Sequence, residues 1–260
     1  MLKDDLSMAA ITRGLETRFI GHKVLYYPRL TSTMEAARRE AKRSAPEGTV
    51  VIADEQTAGR GRLGRAWLTP RGNIALSLVL YPRLVELPPL IMLASLAVVR
   101  SLKTVTGLKA QIKWPNDVQI KGRKVCGILI ETDVQKNKTN YAIIGIGINV
   151  NLRRGDFPPE IESLATSLSE ELGREVPRLN IIRRLLVEIE ELYLTLRAGG
   201  SLYEEWQDNL VTLGQRVRVK SADGTYEGMA ESVDRDGSLL LRGADGQLTR
   251  IIGGDVTLHG

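Results

Sequence analysis

The chain has 260 residues, of which 43% are hydrophobic and 26% charged, with a formal net charge of +5. That length suits one main domain with a small appendage, and the composition excludes a disordered tail, a collagen-like fibre and a disulfide scaffold. A single cysteine, Cys126, rules out an internal disulfide, two histidines and one cysteine are too few for a usual structural zinc site, and the mild positive balance favours anionic ligands without marking a dedicated DNA binder.

From the N-terminus, MLKDDLSMAAITRG carries two Asp and no apolar core, so it does not read as a signal peptide. A short strand is predicted at Val24–Tyr27. Ser32 and Glu35 then fit a capping box for a helix from about 33 to 43. Thr49–Ala53 and Asn73–Tyr81 read as buried strands. Leu87 to Thr106 reads as a buried helix stopped near Gly107. Its most apolar part, Leu87 to Val99, is far shorter than the roughly twenty residues of a membrane span. Together with the N-terminus this makes the cytoplasm the expected location, with no membrane partner.

Two further strands are expected at Val125–Thr132 and Tyr141–Val150, followed by an amphipathic helix over Pro177–Leu196 that Gly199-Gly200 stops. A short helix over Leu202–Leu210 comes next. After Gly214 the character changes. Asp223-Gly224, Asp236-Gly237 and Asp245-Gly246 separate short alternating runs, the pattern of β-hairpins. The expected division is therefore 1–213 and 214–260, the second part a small all-β barrel.

The segment from Gln56 to Gly72 holds Arg60, Arg62, Arg65 and Arg71, no acid, and glycines at 59, 61 and 64. It formally satisfies G-x-G-x-x-G, but Pro70, Gly72 and another strand follow instead of a helix, so a dinucleotide site is rejected. What remains is a glycine loop with interleaved guanidiniums, suited to wrapping an anion or to lying solvated. Lys113-Trp114-Pro115-Asn116-Asp117 reads by itself as a tight turn with Asn116 and Asp117 bonding their own backbone. Lys124 precedes an apolar strand, Cys126 is a small core residue, and Gly145 and Gly147 interrupt a strand where a ligand or backbone approaches closely. His22 and His259 lack any partner pattern and receive no role.

Five motifs occur in one order: Ser32-Thr33; Gly59 to Arg65 with Trp67; Lys113 to Asp117; Arg123-Lys124 with Cys126 to Leu129; and Gly147-Ile148-Asn149. The ordered set resembles the biotin protein ligases over roughly residues 20–258. The resemblance implies an α+β fold, a mixed β-sheet with helices on one face in the manner of class II synthetases, followed by a C-terminal SH3-like β-barrel. It implies an ATP-dependent enzyme that makes biotinyl-5′-AMP and passes the biotinyl group to a lysine of a biotin carboxyl carrier domain, with Mg2+ accompanying the nucleotide.

By the same resemblance, Arg62, Lys124 and Asp117 are the catalytic candidates, with no protein metal site. Biotin would contact Ser32, Thr33, Met34, Gln56, Arg60, Gly61, Arg62, Lys124 and Gly127. ATP and the adenylate would contact Arg60, Arg62, Arg65, Trp67, Lys113, Asn116 and Asn149. Met34 stands where the family usually has Asn, which bears on biotin affinity. About twenty residues precede the first strand, so the winged helix of the repressor forms, and specific DNA binding with it, is not expected. A homodimer is a further expectation, since relatives often dimerise. A lipoate or octanoate ligase of the same fold is the alternative within the fold; a nucleic-acid-binding protein using the Arg loop is the alternative from another class, disfavoured by 5% aromatic content.

Overall fold

In the computed structural model, residues 6–221 and 223–258 are described; His259 and residues 1–5 lie outside them. The first part contains strands β1 (Val24–Tyr27), β2 (Val50–Ala53), β3 (Ile74–Leu80), β4 (Gln111–Lys113), β5 (Asp117–Ile120), β6 (Arg123–Gln135) and β7 (Lys138–Ile148). They form one sheet in the order β1-β2-β3-β7-β6-β5-β4. Only β1 and β2 run parallel; every other neighbouring pair is antiparallel, so the sheet is mixed. The helices are α1 (Met8–Thr12), α2 (Thr33–Lys42), α3 (Leu90–Thr106), α4 (Leu168–Leu172), α5 (Arg178–Arg197) and α6 (Tyr203–Asp208).

Side-chain alternation sets the layers. Leu76 and Leu78 of β3, Ile144 and Ile146 of β7 and Ile128 of β6 face α3 and α5 in one continuous apolar cluster. Val51, Val79 and Ile143 point the other way and join a second cluster with Met34, Ala36, Ala37 and Ala41 of α2. The two long helices thus cover one face, and α2 covers part of the opposite face. The rest of that opposite face carries small residues and is the floor of the site.

Gly107, at φ 74°, ends α3 as its sequence predicts. Glu190 of α5 accepts backbone N–H bonds from Arg18, Phe19 and Ile20 at 2.5, 2.9 and 2.9 Å and anchors the segment before β1. Arg178, at the start of α5, donates to Asp54 (2.8 Å), which also accepts from Tyr26 (2.6 Å), so the ends of β1, β2 and α5 are tied just before the glycine loop begins.

The C-terminal part is a five-stranded antiparallel sheet, β11-β10-β9-β8-β12, built from β8 (Arg216–Ser221), β9 (Gly224–Val233), β10 (Leu239–Arg242), β11 (Leu248–Ile251) and β12 (Asp255–Leu258). Asp236-Gly237 and Asp245-Gly246 fall between successive strands, as predicted, while Asp223-Gly224 straddles the start of β9, which opens at Gly224. Its buried residues, among them Val217, Leu239 and Ile251, join the same apolar cluster as the main sheet, so the two parts share a core.

Four features depart from the sequence reading. Strands β4 and β5 form a hairpin around the segment read as a simple turn, β12 was not predicted, nor were the short helices α1 and α4. Each is five residues or shorter, too brief for periodicity to register.

Candidate active site

The site grows from a run of residues without bulk. Ala75, Gly147 and Gly127 lie side by side on β3, β7 and β6, on the face opposite the long helices. Ser77, Gly145 and Leu129 form the next row. The floor is shaped to admit other groups. A Cβ on Gly147 would stand 2.2 Å from Trp67 Nε1, and a Cβ on Gly145 would stand 2.5 Å from Met34 Sδ. The interruptions that the sequence marks in this strand are therefore the resting places of Trp67 and Met34.

The glycine loop forms the roof. It folds back on itself: Gln56 bridges Thr69, Arg60 bridges Ala66, and Trp67 N–H donates to Gly59 O at 2.9 Å. Gly59 is required at this crossing, because a Cβ there would lie 2.3 Å from the Trp67 carbonyl oxygen. The tip, a single turn over Arg62–Gly64, exposes Leu63 at φ 54°.

Between floor and roof lies a cleft of about 750 Å³, its open mouth included. Eight of the nine residues expected to contact biotin line it: Thr33, Met34, Gln56, Arg60, Gly61, Arg62, Lys124 and Gly127. The ninth, Ser32, is buried and is not among the residues that line the cleft. Ser32 is the first residue before α2, yet its hydroxyl makes no cap and no other hydrogen bond. This corrects the capping-box reading. Glu35, the other half of that box, pairs instead with Arg60 of the glycine loop at 2.5 Å. An enclosed hydroxyl without a partner is costly, and a bound polar ligand would relieve it. Thr33 donates through N and Oγ1 to Gln56 Oε1 (2.8 and 3.0 Å) and accepts from Ser77 (2.8 Å), so the polar end of the cleft is fixed.

The cations gather at the other end. Lys124 Nζ stands 2.7 Å from Asp117 Oδ1 and 5.3 Å from the centre of the Trp67 ring. Arg62 Nη1 donates to Asn116 Oδ1 at 2.8 Å, and the amide nitrogen of Asn116 donates to Ile128 O at 2.9 Å. Asn116 is thus a bridge between roof and floor, which corrects the reading of it as a self-bonded turn residue. Asp117 likewise turns to Lys124. Burial pushes the Arg62 guanidinium below its usual range, against the opposing pull of Asp255 and Asp117. Burial also lowers the Lys113 ammonium, partly offset by Asp117. Fixed, partly desolvated cations interact strongly with an arriving anion.

A second cleft, of about 1980 Å³, lies on the other side of the loop. Lys113 and Asn149 line it, with Arg65, Trp67, Asp117 and Lys124 shared between the two. Its apolar wall is Leu152, Phe157, Ile161 and Leu164, which the sequence reading left unassigned although Phe157-Pro158 stands out in a polar stretch. Asn149 Nδ2 donates to Thr166 O at 3.1 Å and holds that wall to β7. Asp255, from the C-terminal sheet, also reaches the inner cleft and was not anticipated. Cys126 lies fully buried on the opposite face, and burial raises its thiol pKa strongly, in keeping with a core role.

The fold and the paired clefts define a protein with two adjoining sites under one cationic loop. Residues 26–149 match the Biotin/lipoate A/B protein ligase family and residues 212–258 match the Biotin protein ligase C terminal domain. The chain is 38% identical over 258 residues to the Bifunctional ligase/repressor BirA of Bacillus subtilis, covering 97% of this chain and 79% of that protein. It is 36% identical to the Biotin--[acetyl-CoA-carboxylase] ligase of Mycobacterium tuberculosis, covering 84% and 82% of the two chains. Biotin protein ligase from Aquifex aeolicus, solved in complex with biotin and ATP, superposes with a TM-score of 0.78 at 30% identity over 92% of this chain and 99% of that one. The chain belongs to the biotin/lipoate protein ligase family.

Proposed function

We propose that this protein is an ATP-dependent biotin–protein ligase. It joins the carboxylate of biotin to the α-phosphate of ATP, releasing pyrophosphate, and then passes the biotinyl group to a lysine of a biotin carboxyl carrier domain, releasing AMP. The observation that carries this reading is the convergence of Arg60, Arg62 and Lys124 on one cleft that Thr33, Met34 and Gln56 also line. The relatives are biotin ligases, which favours biotin over lipoate or octanoate.

Biotin's ureido ring offers two N–H donors and one carbonyl. Ser32, Thr33 and Gln56 meet those groups, and Met34, packed on Gly145, supplies an apolar wall where the usual Asn would supply an amide. The carboxylate then points toward Lys124. Asp117 holds that ammonium in place, so its part is to orient Lys124. Arg62, braced by Asn116, faces the α-phosphate, where negative charge grows as the mixed anhydride forms. The outer cleft takes the adenosine between its apolar wall and Lys113, Asn149 and Trp67. The loop keeps water from the anhydride until the acceptor amine arrives.

Magnesium enters with the nucleotide as part of the substrate. Among the described residues no cluster of three His, Cys, Asp or Glu could hold an ion. The two carboxylates of the inner cleft, Asp117 and Asp255, are each paired with a cation. That donor set fits an ion carried mainly by phosphates and water, with Asp117 the nearest protein oxygen to offer.

The catalytic part spans 1–213 and the SH3-like part 214–260 in this reading. Strand β6 outruns its neighbour β5, which pairs only as far as Gly127. The open edge from Leu129 to Gln135 is where a second copy, or a carrier domain, would add a strand. No helix of the described residues is long and apolar enough to cross a membrane, and a cytoplasmic enzyme completes the proposal.

The test is pyrophosphate exchange into ATP with either biotin or lipoate, followed by mass spectrometry of a carrier domain. Exchange with biotin and one biotinyl group on one lysine are expected. Exchange with lipoate alone would overturn the assignment.

A further inference from the structure

The C-terminal sheet places a carboxylate among the cations of the active site. The turn between β11 and β12 is held in position: Ser221 Oγ donates to Gly253 O at 2.7 Å, and a Cβ on Gly254 would stand 2.8 Å from Lys220 O, so the turn hugs β8. Asp255 follows at once, paired in register with Lys220. From there its side chain reaches the inner cleft and forms an ion pair with Arg65 of the glycine loop. Next to it, Gly254 O accepts from Arg62 Nη1 at 3.3 Å. The same carboxylate acts through space on Arg62 and Lys113. One acidic residue, some 190 positions from the loop, therefore pairs with Arg65 and acts through space on Arg62 and Lys113, three cations of the two clefts.

We infer that Asp255 is an internal counter-ion that occupies the phosphate subsite in the absence of nucleotide, so that a polyphosphate must displace it from Arg65 in order to bind. This deepens, and rests on, the ligase reading. Clustered guanidiniums without an anion repel one another and hold the loop open; a tethered carboxylate lets the loop stay folded over an empty site. The same carboxylate opposes entry of any anion. A ligand with several charges that spans Arg65, Arg62 and Lys113 competes well, whereas one with a single phosphate group does not. Asp255 would thus select for polyphosphate and would re-pair with Arg65 once pyrophosphate departs. The pair is partly exposed, with Arg65 at 65% and Asp255 at 26%, so the effect is moderate.

The test measures binding of inorganic pyrophosphate to the full chain by calorimetry, independent of turnover. Asp255→Asn keeps the shape and removes the charge; Asp255→Ser serves if the first variant does not fold. Glu227→Gln, on the same sheet and paired with Arg218 at 2.5 Å, controls for net charge. Pyrophosphate should bind roughly two- to fivefold more tightly to the Asp255 variants, the size expected for loss of one exposed ion-pair competitor. KM for ATP should fall by a similar factor with KM for biotin unchanged, and Glu227→Gln should match the unmutated chain. Unchanged or weaker pyrophosphate binding in folded Asp255 variants, or an equal gain in Glu227→Gln, would overturn the inference. Failure of the unmutated chain to exchange pyrophosphate in the presence of biotin would sink the ligase reading instead, while the direct binding comparison would still judge Asp255.

Discussion

The indole N–H of Trp114 donates to the carbonyl of Gly237 at 2.8 Å, and the ring around it is almost fully enclosed. This bond ties the β4–β5 hairpin of the main sheet to the Asp236-Gly237 turn of the C-terminal sheet. The backbone N–H of Trp114 adds a bond to Thr212 Oγ1 at 2.9 Å. Within the same five residues, Lys113 lines the outer cleft, Asn116 braces Arg62 and Asp117 holds Lys124. The segment therefore couples the placement of the small sheet, and of Asp255 on it, to the geometry of the site.

Trp114→Phe keeps an aromatic ring but removes the donor, leaving the Gly237 carbonyl without that partner. A loss of about 1–3 kcal/mol is expected, read from the urea midpoint. An unchanged midpoint would mean that the bond contributes nothing to the join.

Arg62→Ala removes the link between roof and Asn116, and with it one charge over the phosphate. Under the ligase reading the adenylate should escape or hydrolyse roughly tenfold faster, the equivalent of one charge-assisted hydrogen bond. Stability should change little, because Arg62 belongs to the loop and not to the core. Leakage at the unmutated rate, followed with labelled ATP, would remove Arg62 from its assigned role.

Gly147→Ala tests the floor. The new methyl would sit where the Trp67 indole nitrogen lies, so the ring and its loop must move. KM for biotin should rise by about tenfold or more, with the thermal midpoint nearly preserved. If KM is unaltered, Trp67 does not rest on this strand in solution.

Glu171 gives the expected pH dependence. Its carboxylate is 1% exposed and accepts from Arg123 (2.6 Å) and Thr166 (2.8 Å), with Lys121 at 3.0 Å. Burial by itself raises its pKa, but the Thr166 hydroxyl and the two cations outweigh that and leave it below the usual value. A depressed folded pKa adds stability that is complete above the unfolded carboxylate pKa and is lost as pH falls through the folded one. The unmutated chain should therefore lose stability below about pH 4.5 more steeply than Glu171→Gln does. Glu171→Gln should already be the less stable of the two near pH 7. Parallel urea curves for both chains across that range would contradict the assignment.

Much of this protein was legible along the chain because the signals are short-range. The Asp-Gly pairs and Gly107 mark turns and a helix end through the backbone angles that they permit, and the unbroken apolar runs of β3 and β7 follow from strands buried on both faces. The glycine loop, Lys124 and the Lys113–Asp117 segment were candidates from residue type and order alone. What each contributes was not legible. Ser32 has the residue type and spacing of a helix cap, yet its hydroxyl is buried and left unbonded. Asn116 and Asp117 have the composition of a turn, yet they reach across to Arg62 and Lys124. Asp255 carried no signal, since it sits in an ordinary polar stretch. Local preference is a property of neighbours in sequence, whereas charge, burial and hydrogen bonding at the site depend on groups as far apart as Arg65 and Asp255, and folding brings those together through the core that the two sheets share.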